Sequence, residues 1–402
     1  MKGGKQISYG SYGCVFNPQL LCKGETVRGD GVSKLMERKE AIGELSEQSY
    51  VDEVIDPGFK YHLRPPKMCE IGDLDRKEDA LHYCPLFRRG IPYDFKKDYA
   101  ILQMENGGVS IWDYLQKVTT TPELQNVENA KRFIFDMENL FEGLVDFYDN
   151  KFIHFDIKAG NIVYKEDENR FNFIDFGLSS SYKDVWKFIN SNHERLGSGY
   201  YITPMEMWFI AVGARTLFNK RGQLMLYYRG SMYEQYANKR FATNDMYLEP
   251  MLDSFELYET FLTTSGNRDH YIESMIGGID TYGIGILLVE ILVSFSNKKF
   301  TYGGSEDIID PFYKDVSRLI HEMIHPFYGK RILPQDALIK FRDIKSKYTT
   351  YMPPGVGAAA AASGSGGGRR SNKKTKSKKH KTKSHIKRGR RKNKKRTNRR
   401  RK

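Results

Sequence analysis

FIHFDIKAGNIVY (residues 152–164) and FNFIDFG (171–177) are the stretches on which the reading of the whole chain turns. They set His154, Asp156, Lys158 and Asn161 in the run H-x-D-x-K-x-x-N, with Asp175-Phe176-Gly177 beginning fourteen residues after Asn161. The polar hexapeptide from Lys165 to Arg170 reads as a hairpin tip that folds the two polar groups together. Asp156 and Lys158, two apart in an extended loop, lie on one side of it. Asn161 and Asp175 offer hard oxygen atoms of the kind that Mg²⁺ takes. A lone Asp or Lys in a loop is usually solvated surface, and D-F-G recurs by chance. The two patterns together at hairpin distance do not.

Upstream, ISYGSYGCVF (7–16) contains Ser8-x-Gly10-x-x-Gly13-x-Val15, a strand-turn-strand in which glycines let backbone N–H groups approach phosphates. Taken alone it is equally a plain turn between strands. Next, Val32-Ser33-Lys34 ends a short β-branched run, and residues 37–54 form a helical stretch in which Glu44 and Glu47 compete as partners of Lys34. With Glu47 chosen, Leu45, Tyr50, Val51 and Val54 share an inward face, whereas Glu44 would bring Gln48 inward, so the apolar face favours Glu47. DYAILQMENGG (98–108) reads as a strand running through Met104 and Glu105-Asn106 to a Gly-Gly turn. Residues 58–98 carry no readable motif. Apolar residues recur every three or four positions from Asn129 to Asn150, predicting an amphipathic helix that enters the 152–164 loop. Asp280-x-x-Gly283-x-Gly285 opens a helix apolar nearly all round, hence buried, and a buried Asp280 must find donors.

In this order, Ser8 to Val15, Lys34, Glu47, His154 to Asn161, Asp175 to Gly177, Glu206, Asp280 and Arg331 resemble the landmarks of eukaryotic-type serine/threonine protein kinases across residues 7–345. The resemblance implies an α+β bilobal fold, with a small β-rich N-lobe over 1–106 and a larger, mainly helical C-lobe over 107–352. It implies ATP and Mg²⁺ as cofactors. Ser8, Gly10, Gly13, Val15, Val32, Met104, Glu105 and Val163 would surround the nucleotide, with Cys14 beside it and Met104 guarding the back pocket. Lys34, paired with Glu47, would hold phosphates, and Asn161 and Asp175 would hold the metal. Asp156 would orient the acceptor hydroxyl and take its proton, and Lys158 would neutralise the phosphoryl in flight. The lysine at 158 implies serine or threonine acceptors in protein substrates. Asp280 would hold the catalytic-loop backbone, and Glu206 would pair with Arg331.

Several residues depart from the family pattern. Ser8 replaces its first glycine, Val32 its usual alanine, and Pro204-Met205-Glu206 its Ala-Pro-Glu. Phe155 replaces the arginine of H-R-D that in many kinases grips a phosphorylated activation segment, which speaks against switching by that route. Glu206 and Asp280 stand 74 positions apart, an insertion at about 207–279. H-F-D, V-S-K and the insertion together are similar to kinases of large nucleocytoplasmic DNA viruses, including giant viruses. An intracellular site, host cytoplasm or nucleus, with packaging in the virion, is the matching expectation.

The net charge of +14 is segregated. Residues 369–402 hold 21 Lys and Arg and no acid, leaving the other 368 residues with 43 bases against 50 acids. The Ala/Gly/Ser stretch 353–368 reads as a flexible linker, and the basic run beyond it as a disordered tail that binds nucleic acid or another polyanion. Cys14, Cys22, Cys69 and Cys84 show neither C-x-x-C nor zinc spacing, which favours a reducing compartment. The longest apolar run, around Ile284 to Val293, is too short for a bilayer, so no membrane segment is expected. A pseudokinase scaffold tethered to nucleic acid is the rival reading. It would not need to keep all of Lys34, Asp156, Asn161 and Asp175.

Overall fold

The computed structural model describes residues 5–9, 13–26, 29–72, 81, 84–87, 94–185, 204, 275–300 and 310–349, all within the compact unit Met1–Tyr351. Gly10, Glu206, residues 207–274 of the insertion, the linker and the basic tail lie outside the described residues.

Short alternating runs at the start of the chain become an antiparallel sheet of β1 (Lys5–Tyr9), β2 (Gly13–Asn17), β3 (Val32–Glu37), β4 (Lys67–Cys69) and β5 (Tyr99–Met104), ordered β1-β2-β3-β5-β4. Successive side chains on a strand face opposite ways, so register assigns the faces. Val15 pairs with Lys34, Lys34 with Leu102 and Val32 with Met104, which places all five on one face. Helix α1 (Arg38–Tyr50) covers that face through Met36, Ala41, Ala100 and Leu102. On the opposite face Cys14, Phe16, Leu35 and Ile101 pack with Leu81, Cys84, Phe87 and Phe95 in a second core.

Two disulfides, Cys14–Cys84 and Cys22–Cys69, cross-link this outer core. They correct two expectations. Cys14 alternates with Val15 along β2 and so points away from the nucleotide face, fully buried. All four cysteines are paired, which removes the basis for inferring a reducing compartment from their spacing. Partners 70 and 47 residues apart meet only after the sheet has formed, so the spacing gave no sign of them.

The helical part begins with α2 (Ile111–Thr120), whose N-cap Ser110 accepts a hydrogen bond from Asp113 N. The helix predicted over 129–150 is two, α3 (Val127–Phe135) and α4 (Glu138–Asp149). The break at Asp136 leaves its carboxylate accepting from Tyr164 OH at 2.8 Å while Met137 stays buried. Helix α5 (Ile279–Ser296) is apolar on every side and buried along nearly its whole length. By length and composition it could cross a bilayer, yet 89% of it is enclosed by the protein's own residues. Helix α6 (Pro311–Met323) packs against it, and α7 (Pro334–Thr349) packs against α6 and α4. Between α4 and α5 the chain forms β7 (Phe152–Ile153), β8 (Ile162–Lys165), β9 (Arg170–Phe173) and β10 (Ser180–Ser181). β8 and β9 form the predicted hairpin, flanked by β6 (Val109–Ser110), and β10 pairs with β7.

Candidate active site

The loop between β7 and β8 is pinned from below. Asp280, in the first turn of α5, accepts hydrogen bonds from the backbone N–H groups of His154 at 2.8 Å and Phe155 at 3.1 Å. Burial pushes its carboxyl up to about 7, against those two bonds. Gly283 explains the small residue one turn on, since a Cβ there would lie 2.9 Å from Ile157 Cβ. Phe155, bulky and buried, holds a left-handed φ of 65°. Such a conformation costs about 1–3 kcal/mol and persists only where its surroundings impose it. Here the Asp280 bond and the packed ring impose it.

The pinned loop presents its polar groups as one cluster. Lys158 Nζ lies 2.7 Å from Asp156 Oδ2. Asn161 Nδ2 donates to Asp156 Oδ2 at 2.9 Å and to Asp156 O at 3.0 Å, which leaves its amide oxygen as the ligand atom. Ile174 N donates to Asn161 O at 3.0 Å, tying β9 to the loop just before Asp175. Asp175 also has a positive φ, 64°, and its Oδ1 stands 3.6 Å from Lys34 Nζ. Phe176 is buried against His154, ring centroids 4.8 Å apart. Burial lowers the pKa of His154, favouring neutral imidazole.

Lys34 bonds Glu44 Oε2 at 2.6 Å, so the glutamate on α1 is Glu44 rather than the expected Glu47. The face argument assumed that apolar residues point inward. Gln48 is buried instead, 9% exposed, with its amide bonded to Leu63 O, while Tyr50 and Val54 are 39% and 49% exposed. A π-helical turn at Val51–Ile55 ends α1 and buries Val51 and Ile55. Burial pulls the Lys34 ammonium down, but the Asp175 and Glu44 carboxylates more than offset it and hold it above its ordinary value. Burial raises the Glu44 carboxyl despite Lys34. For Asp175 burial pushes upward too, but the Lys34 and Lys158 charges prevail and keep it ionised, below the usual range.

Of the residues expected around the nucleotide, Val15, Val32 and Met104 share the sheet face of Lys34, and Met104 packs at the edge of the small core that contains Ala41 and Leu102. Gly13 lies against β3, where a Cβ would come within 2.9 Å of Leu35 O and 3.2 Å of Lys34 Cγ. Ser8 stands opposite Val15 in β1. Glu105 leaves the sheet after Met104, and its carboxylate accepts from Arg64 N at 3.1 Å. Val163, on β8, closes against Gly107, where an added Cβ would lie 2.6 Å from Val163 Cγ2. Arg331 is buried, its guanidinium donating to His325 O at 2.8 Å and 5.2 Å from the Tyr282 ring; its expected partner Glu206 lies outside the described residues.

The sequence reading missed Gln48, Asp52, Asp56 and His62. The first three follow Glu44 at intervals of four, a helical stripe that the search for an apolar face passed over.

A sequence model of the protein kinase domain matches residues 90–215, which include the catalytic loop and Asp175. Over 245 residues the chain is 25% identical to a probable serine/threonine-protein kinase of fowlpox virus (strain NVSL), an alignment covering 59% of this chain and 73% of the viral protein. The fold sets Lys34 beside Asp175 and joins Lys158 and Asn161 to Asp156, the groups that phosphoryl transfer needs. The chain is an ATP-dependent protein kinase, similar in sequence to a viral serine/threonine kinase.

Proposed function

We propose that this kinase transfers the γ-phosphate of ATP to serine and threonine hydroxyls of protein substrates, with Mg²⁺ as its metal. The observation that carries the reading is a set of six side chains: Lys34 on Glu44 at 2.6 Å, Asp175 3.6 Å from Lys34, and Lys158 and Asn161 both bonded to Asp156. A carboxylate and an amide oxygen suit Mg²⁺, which takes one or two protein oxygens and fills its remaining positions with phosphate and water. Asn161 and Asp175 hold the ion, which when bound neutralises charge on the phosphates. Lys34 holds the phosphates, and Glu44 keeps its ammonium charged and in place. Asp156 orients the acceptor hydroxyl and takes its proton, and Lys158 offsets the charge that develops on the transferred group. Val15, Val32, Met104 and Val163 enclose the base. A scaffold without catalysis has no use for this set.

Regulation follows from Phe155. The side chain at that position is apolar and buried and cannot grip a phosphate, while Ser179 and Ser180 are themselves buried. Ser179 Oγ donates to Phe176 O at 2.6 Å. The start of the activation segment is therefore held by its own hydrogen bonds, and basal activity does not await its phosphorylation.

The basic run 369–402 binds nucleic acid through phosphate contacts, without reading sequence, since 21 bases with no acid supply charge and no fixed geometry. Action inside an infected cell, with packaging in the virion, is part of the same proposal. The test is incubation of the purified chain with labelled ATP, Mg²⁺ and a panel of proteins, followed by phosphoamino-acid analysis. Label on serine or threonine is expected. Label confined to tyrosine, or none on any protein, would overturn the proposal.

A further inference from the structure

Helix α1 and the π-helical turn that follows it carry a row of polar groups of which phosphate binding uses only Glu44. Glu44, Gln48, Asp52 and Asp56 recur every four residues, the spacing that stacks side chains along one side of a helix. Glu44 meets Lys34. Gln48 Nε2 donates to Leu63 O at 3.2 Å and to Asp52 Oδ1 at 3.4 Å. Asp52 Oδ1 lies 2.5 Å from His62 Nε2, and Asp56 Oδ2 lies 2.9 Å from His62 Nδ1.

His62 is fully buried, and Asp56 is 2% exposed. Each ring nitrogen faces a carboxylate oxygen. Burial raises the Asp56 carboxyl, but the His62 bond and the Tyr61 N–H more than offset it, leaving it ionised. Charges removed from water in this way contribute little net stability, because desolvation cancels most of their attraction. What they do fix is geometry.

The His62 ring lies edge-on to Phe176, centroids 6.1 Å apart at 87°, one residue beyond Asp175. Its neighbour Tyr61 accepts from Phe173 N at 2.8 Å and bonds Asp146 Oδ2 on α4 at 3.1 Å. His62 therefore stands between the far end of α1 and the strand that delivers Asp175. Glu44 lies six residues, about 9 Å of helix, before the end of α1 at Tyr50, and Asp52 sits in the π-helical turn beyond it. A helix held by one ion pair can turn about its axis; one held at two points that far apart cannot.

We propose that His62 is a positioning residue for phosphoryl transfer. Strung between Asp52 and Asp56, it fixes the rotation of α1, and so seats Glu44 on Lys34 and Lys34 beside Asp175. The inference rests on the kinase reading of Lys34 and Asp175 and adds a second anchor to the helix that serves them.

The test is a double-mutant cycle on the full chain: wild type, Glu44→Gln, His62→Gln and the double variant, each assayed for kcat and KM for ATP and melted thermally. His62→Gln is expected to lower kcat/KM by about 10- to 100-fold, the scale of an ångström-level misplacement. The double variant is expected to be no worse than Glu44→Gln alone, because both changes act through one contact. Losses that multiply, or a His62→Gln enzyme with wild-type kcat/KM, would overturn the proposal. Should His62→Gln fail to fold, Asp52→Asn takes its place in the cycle with the same expectation. A wild type without transferase activity would end the kinase reading instead. The rise in melting temperature on adding ATP then reads the Lys34 site in the same four proteins, and an equal rise in wild type and His62→Gln would count against His62.

Discussion

His325 shows how one half-buried side chain ties stability to pH. Its Nδ1 accepts from Phe327 N at 3.1 Å. Burial lowers its pKa from 6.5 to about 4; the Phe327 carbonyl, 3.3 Å from Nδ1, opposes this and the Arg331 charge reinforces it. The unfolded chain takes up this proton first as pH falls. The stabilisation from neutral His325 is thus complete above pH 6.5 and lost on the way down to pH 4. Asn at this position keeps an acceptor for Phe327 N without titrating. Melting temperatures across that window should therefore fall less steeply in His325→Asn than in the wild type, and parallel curves would contradict the assignment. At the same scale, Asp156, Lys158, Asn161 and Asp175 were legible because they lie within twenty residues of one another, on a hairpin that the sequence marks with a polar tip. Glu44 was not legible as the partner of Lys34. The choice depended on which face of α1 is buried, and that face is polar, its groups satisfied by Lys34, Leu63 O and His62, which a periodicity of apolar residues cannot reveal.

Among the elements, the N-lobe sheet is the one whose construction departed furthest from expectation. Strands β1, β2, β3 and β5 were readable from short runs, β4 lies in the stretch without a readable motif, and period two places Val15, Lys34 and Met104 on one face. The outer face depends on covalent links as well as packing, since Cys14–Cys84 and Cys22–Cys69 join β2 and the chain after it to residues 69–84. Each link restrains the unfolded chain, and removing such a bond typically costs about 2–5 kcal/mol. Replacing Cys14 and Cys84 together by alanine should lower the melting temperature. Reductant should lower it in the wild type and leave a variant with all four cysteines replaced unaffected. A wild type indifferent to reductant would contradict a stabilising role for the bonds. Helix α5 was readable from its all-round apolar sequence, and Asp280 within it from the cost of burying a carboxylate without donors. The division of 129–150 into α3 and α4 was not, because both halves keep the same helical periodicity across the break at Asp136.

For the whole molecule, an acidic body with a basic run at one end predicts two separable activities. Removing residues 369–402 should leave phosphoryl transfer intact and abolish most DNA affinity. Binding of the full chain should weaken steeply with salt through release of counterions. Undiminished DNA affinity after truncation would end the idea of a binding arm. Ser371, Thr375, Ser377, Thr382, Ser384 and Thr397 lie among those bases, joined to the kinase by a sixteen-residue stretch. Each phosphate added there would contribute about −1.5 to −2 charge and loosen the grip. All of this presupposes transfer at the cleft, and the most direct measurement of that is the rate of labelled phosphate transfer from ATP with Mg²⁺ by wild type and Asp175→Ala, each checked by thermal melting. Asp175→Ala is predicted to melt as a folded protein and to transfer phosphate at background rate. Full activity in that variant would contradict the account.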